Sequence, residues 1–204
     1  MKHSITAAVL TAGMALGAGQ AVAATLGLTT EAPTLSSSSA FIDYLEFAPD
    51  GDLSNFGAEV DSTDGVSPNG FIEIGFGVGF SLADPTTGLS GGFDIFDEDG
   101  FFLGGDLFAV GFAEDVIELQ FDNLSGSGAG LFGTSVLALI AFDNPLGANP
   151  FGSLVDGEFY SASVTISNVA TSASTVAPIP LPAGLPLMLT GLASIVLLRR
   201  RGKA

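Results

Sequence analysis

Apolar residues in the middle of this chain recur at every second position over short runs, the period of a strand with one buried face. From Phe71 to Leu82, the residues Ile72, Ile74, Phe76, Val78, Phe80 and Leu82 alternate with Phe71, Glu73, Gly75, Gly77, Gly79 and Ser81. One face is apolar and the other nearly bare, which predicts a half-buried antiparallel strand. Comparable runs are Phe41–Phe47, Gly92–Phe96, Phe108–Phe112, Val116–Phe121 and Phe159–Ile166, separated by Gly, Pro, Asn and Asp turns. Val136–Phe142 is apolar throughout and is expected to lie centrally, buried on both faces. The predicted fold is all-β, an antiparallel β-sandwich of jelly-roll-like topology. It is favoured over a barrel by short strands spaced at roughly 8 to 12 residues. Gly-Phe pairs at 70-71, 75-76, 79-80, 92-93, 100-101 and 111-112 have no constant period and read as core aromatics beside small residues. A self-assembling cross-β matrix protein is the alternative reading of those Gly-rich faces, opposed by the carboxylates that interrupt them.

Both ends break the alternation. Lys2 and the amino terminus are followed by a short Ala-rich apolar stretch, Ile5–Gly17, and by the small-x-small site Ala21-Val22-Ala23. This predicts a secretory signal peptide handed to the translocon and cut by signal peptidase after Ala23 or Ala24. At the other end, an apolar run from Leu181 to Leu198 spans about 27 Å as a helix, close to a hydrocarbon core of about 30 Å. Arg199, Arg200, Arg201 and Lys203 follow and would hold the end on the cytoplasmic side. Pro178, Pro180, Pro182 and Pro186 favour an extended, exposed segment before that helix, a form a protease can grip. A permanent single-span anchor is the alternative for the tail.

The order Pro178-Ile179-Pro180-Leu181-Pro182-Ala183, then an apolar helix, then the Arg cluster resembles the PEP-CTERM class of bacterial sorting signals. The nearest subtype is VPLPA-CTERM, with Ile179 where Val is usual. The resemblance covers only the tail. It implies recognition by an exosortase, a membrane-embedded thiol protease or transpeptidase, which would cut near the Pro motif. It also implies release or transfer of the protein outside the membrane, often in association with exopolysaccharide and biofilm. The chain therefore divides into a signal peptide (1–23), a Ser/Thr-rich leading segment (24–40) expected to be exposed, and a β domain (41–170). A linker (171–180) and the sorting signal (178–204) complete it.

Charge narrows the function of the domain. All five Lys and Arg lie at positions 2, 199, 200, 201 and 203, whereas the 22 carboxylates lie between Glu31 and Glu158. With no basic side chain to offset them, the formal charge between the two terminal signals is −22 (0 minus 22). Nucleic acid is excluded as a partner, because phosphates are bound mainly by Lys and Arg. Anionic lipid headgroups are disfavoured for the same reason. The only His is His3 and there is no Cys, so Ser-His-Asp triads, cysteine nucleophiles and zinc thiolate sites cannot be assembled in the domain.

The densest acidic stretch, Asp94-Ile95-Phe96-Asp97-Glu98-Asp99-Gly100, with Asp106 beyond, departs from an EF-hand loop. Aligning Asp97, Asp99 and Gly100 puts Ile95 at the first ligand position. A calcium site of another kind on Asp94, Asp97, Asp99 and Asp106 is chemically reasonable; a polar hairpin turn is the simpler reading. Asp50-Gly51-Asp52 and Asp61-Ser62-Thr63-Asp64-Gly65 carry the same ambiguity. No cofactor is required. The expectation is an exported, non-enzymatic surface or matrix protein, transiently anchored by its tail and then left at the cell surface or outside the cell. A calcium-dependent polysaccharide-binding or adhesion module is the first alternative, and a two-carboxylate glycoside hydrolase the second. The lack of Trp, with only Tyr44 and Tyr160 as amphipathic aromatics, weighs against a carbohydrate site.

Overall fold

Alternating side chains give a chain like this one long inner faces, and the computed structural model, which describes residues 24–170, shows how they are covered. The strands are β1 (Thr30–Phe47), β2 (Asp50–Glu59), β3 (Ser62–Asp64), β4 (Glu73–Ser81), β5 (Ser90–Asp97), β6 (Gly100–Ala113), β7 (Val116–Ser125), β8 (Val136–Phe142) and β9 (Glu158–Val169). Each long strand pairs antiparallel with the next, and β1 pairs with both β2 and β9. The result is a closed eight-stranded antiparallel barrel rather than a sandwich. The all-β antiparallel expectation holds, and the two-sheet expectation is corrected. Closure depends on the pairing of β1 with β9, a contact between distant segments that spacing along the chain does not encode.

The inner wall is the predicted apolar face. Ile74, Phe76, Val78 and Phe80 of β4 are buried, as are Val136, Ala138, Ile140 and Phe142 of β8. On the outer side of β8, Leu137 is also buried while Leu139 and Ala141 are half-buried. Side chains fill the interior, as is usual at eight strands. Phe93 of β5 and Phe121 of β7 meet inside it over the intervening β6, with ring centroids 4.7 Å apart. Each end carries an aromatic plug. A 3-10 turn at Ala129–Leu131 delivers Phe132 against Phe102, and another at Pro150–Gly152 delivers Phe151 against Phe80 and Phe112.

The segment expected to be an exposed lead-in is instead mostly part of the wall. Thr30–Ala40 forms the first half of β1, with Leu35, Ser37 and Ala40 buried. Within the run Ser36–Ser39, Ser37 faces inward and outward Ser36 shares a hydrogen bond with Thr165 of β9, while Ser38 and Ser39 are both exposed in a bulge before the pairing resumes at Ala40. Residues before it run over the outer wall. The Ala24 carbonyl accepts from Phe112 N–H, Leu26 N–H donates to Glu118, and the Thr29 carbonyl accepts from Ala170 N–H.

Where β1 faces β2 and β3 the ladder opens between its two paired ends, and side chains replace the missing bonds. Asn55 Nδ2 donates to the Phe41 carbonyl at 3.0 Å and its Oδ1 accepts from Ala58 N–H, while the Asp61 carboxylate accepts from both the N–H and the hydroxyl of Ser38. The Ser38 hydroxyl, and then its N–H, hold the Asp61 carboxyl below its ordinary range. A lowered folded value means that the bond stabilises above the unfolded titration and is lost as pH falls through the folded one. Protection of the Ser38 amide in hydrogen exchange, corrected for its intrinsic pH dependence, should therefore fall in that acidic range. In Asp61→Asn the acid step should be absent.

Ala21, Ala23, the motif Pro178–Ala183, the span Leu181–Leu198 and Arg199, Arg200 and Arg201 lie outside the described residues. No helix among the described residues is long and apolar enough to cross a membrane.

Candidate functional site

Neighbouring strands place their outward residues in rows, so the bare face read from the alternation of β4 can be mapped against its surroundings. In one row Phe56 of β2, Gly75 of β4, Asp94 of β5 and Gly104 of β6 stand side by side. The next row holds Ser54, Gly77, Gly92 and Asp106, and on the other side Glu73 stands beside Phe96, which pairs with Phe101. Gly75 and Gly77 therefore floor a trench along β4, walled by residues of β2 and β5, whereas the space over Gly79 is taken up by the side chains of Ser90 and Asp52. At strand geometry its open floor is about 7 Å long between Gly75 and Gly77, and its walls are about 10 Å apart. A concavity of about 460 Å³ lies between Phe56 and Phe96, with Glu73 and Asp94 among its lining. Two adjoining concavities share Gly77 with it, one toward Asp106 and Asn123, the other toward Asp52 and Phe47.

Phe56 is 86% exposed and Phe96 is 49% exposed, the latter beside Phe101 with ring centroids 5.7 Å apart. These faces were not found from the sequence: of the Phe residues beside glycine expected in the core, Phe76, Phe80, Phe93 and Phe112 are buried, but Phe71 and Phe101 are exposed. Phe56 stands on β2, a strand that the alternation did not reveal because its inward positions include Gly51 and Asn55.

The four aspartates proposed for calcium are split between two places. Asp94 and Asp106 stand on the outer wall in adjacent rows, and Asp106 accepts from Asn123 Nδ2 at 3.2 Å. Asp97 and Asp99 are at the tip joining β5 to β6. There Asp97 accepts from Asp99 N–H at 2.9 Å and from Asn69 N–H at 3.2 Å, the role of a turn-forming Asp. No group of three or more acidic side chains suited to a metal ion occurs among the described residues. Asp50-Gly51-Asp52 opens β2, and Asp61 to Asp64 carries the seam contact and β3.

Lacking bases, the carboxylates bond to backbone N–H groups instead. Asp115 Oδ1 accepts from Leu146 and Gly147, and Asp156 accepts from Glu46 N–H. Asp84 bonds the hydroxyl and N–H of Thr86, which lower its titration. Tyr44 is raised above its ordinary range, first by burial and then by its hydrogen bond to Glu46. It serves the packing against Phe80 at one end of the barrel.

No family model, curated protein or solved structure matches this chain.

Proposed function

We propose that this chain is an exported, non-enzymatic protein of the cell surface or extracellular matrix, processed by an exosortase and associated with exopolysaccharide through the outer wall of its barrel. The tail residues Pro178 to Ala183 and Arg199 to Arg201 support the route. The observation that carries the second half is the trench between Phe56 and Phe96, since the barrel interior is filled and its wall is where a ligand meets the protein. Outward-facing Asp43, Asp52, Asp94 and Glu118 are also the reverse of a lipid-facing barrel, whose outer band is apolar. Such a wall suits an aqueous, polymer-rich surrounding.

The calcium-dependent adhesion reading differs in needing an ion, and the hydrolase reading in needing an acid. Glu73 and Asp94 share one concavity but both are exposed, whereas glycoside hydrolysis needs one desolvated acid beside an ionised partner. Mass spectrometry of the protein recovered from its host tests the route. A C-terminus ending near Pro182, free or bearing an adduct, is expected, and an intact Arg-rich tail in the mature material would overturn it. Glycan retention by that protein with and without calcium separates plain polymer association from the ion-dependent alternative.

A further inference from the structure

We propose that the groove between Phe56 and Phe96 binds an extended polysaccharide bearing free amino groups. This rests on the surface-protein reading above and adds the charge class of the polymer. The walls provide the first argument. Phe56 and Phe96 stand on opposite sides of β4 with substantial free surface, and Glu73 and Asp94 share the same concavity. Aromatic faces beside carboxylates suit a ring that is apolar on one side and cationic at a substituent. Charge complementarity gives the sign: with no Lys, Arg or His between Ser4 and Leu198, the countercharge must come from the ligand.

The floor provides an independent argument. At Gly77 an added Cβ would meet nothing within 4 Å, and at Gly75 only backbone oxygens at 3.6 and 3.8 Å. Neither has the positive φ that favours glycine, so neither the backbone nor the packing requires glycine at these positions. Glycine weakens a strand interior and often marks a place where something approaches the backbone closely. Gly91 and Gly92 on the neighbouring strand differ, since a Cβ at either would collide with a carbonyl oxygen.

A basic peptide fits less well. Peptides commonly bind sheets by adding a strand to a free edge, and β4 and β5, which form the floor and one wall of the groove, are paired on both sides along it. The adjoining concavities around Gly77 leave the groove open beyond its aromatic walls, which suits a chain rather than a compact molecule.

Calorimetric titration of the mature protein with glucosamine oligomers and with N-acetylated oligomers of equal length tests this. The amine form should bind roughly tenfold more tightly or better, with affinity falling as salt is added. The double variant Glu73→Gln with Asp94→Asn should erase that preference. Gly77→Val should abolish binding while the melting temperature is maintained or raised, which separates a blocked groove from a misfolded barrel. Equal binding of the two oligomers would overturn the charge assignment, as would a double variant that keeps the preference. Unchanged affinity in Gly77→Val would overturn the location. Oligolysine binding as tightly as the amine oligomer would reduce the groove to a general polycation surface and overturn the glycan assignment. Binding of no oligomer would overturn this inference, while the processed C-terminus would still decide the surface-protein reading.

Discussion

Phe121→Ala should destabilise the barrel by about 3–5 kcal/mol, the range for removing a fully buried Phe whose neighbours cannot collapse into the space. Phe121 has no exposed surface, and its ring meets Phe93 at 4.7 Å in the interior. Its strand is held by β6 on one side and β8 on the other, so the backbone cannot move inward without breaking two ladders. At roughly 2–4 °C per kcal/mol for a domain of this size, the melting temperature should fall by about 6–20 °C. A fall of only a degree or two in thermal unfolding would mean that the interior repacks, and that the closed wall is softer than its pairing indicates.

Two neighbouring glycines, Gly77 of β4 and Gly91 one position off its partner on β5, should respond with opposite signs. Gly91 has φ 89°, and a side chain there would strike the carbonyl oxygen of Gly77, so Gly91→Ala should cost roughly 1–3 kcal/mol for the backbone strain alone. Gly77→Ala should stabilise by about 0.5–1 kcal/mol, because alanine is less flexible in the unfolded chain and has free space in the folded one. The two melting temperatures should therefore differ by about 3–16 °C, with wild type between them. If both variants lose stability, the open floor is needed for folding and its openness says nothing about a ligand. Denaturant titration of the same pair checks that the difference is one of stability and not of the extent of unfolding.

Strands are legible where apolar inward positions alternate cleanly; of β6 only Phe108–Phe112 stands out, because Phe102 and Leu103 are buried at successive positions and break the alternation. Val136–Phe142 was read with the bounds that β8 has, and the inward set of β4 was read residue by residue. β2 escaped because Gly51 and Asn55 occupy inward positions, and Asn55 is buried for its hydrogen bonds rather than for its hydrophobicity. The Ser36–Ser39 run looks like a linker by composition, although Ser36 and Ser37 pair with β9 and only Ser38 and Ser39 bulge out of the ladder. Barrel and sandwich use the same local alternation, and the choice between them lies in one pairing across the ends of the domain. The bare side of β4 was visible in the sequence, but its meaning depended on Phe56, whose strand was not. Acidic clusters such as Asp97 to Asp99 were ambiguous because turns and calcium loops draw on the same side chains, and only the backbone contacts of Asp97 separate the roles.

The order of the strands around the barrel also sets an order in time. Every long strand from β1 to β9 can pair with its successor as soon as that successor emerges, β3 being the only interruption, but the last pairing needs β9 beside β1. Until the residues around Val164 are available, β1 lacks the partner along its longest paired edge, and the aromatic interior has an open side. Non-local closure of this kind is the slow step expected of such a topology. A chain delivered across a membrane from its N-terminus would therefore remain an incomplete ring for most of its passage, and would close only when nearly the whole domain had arrived.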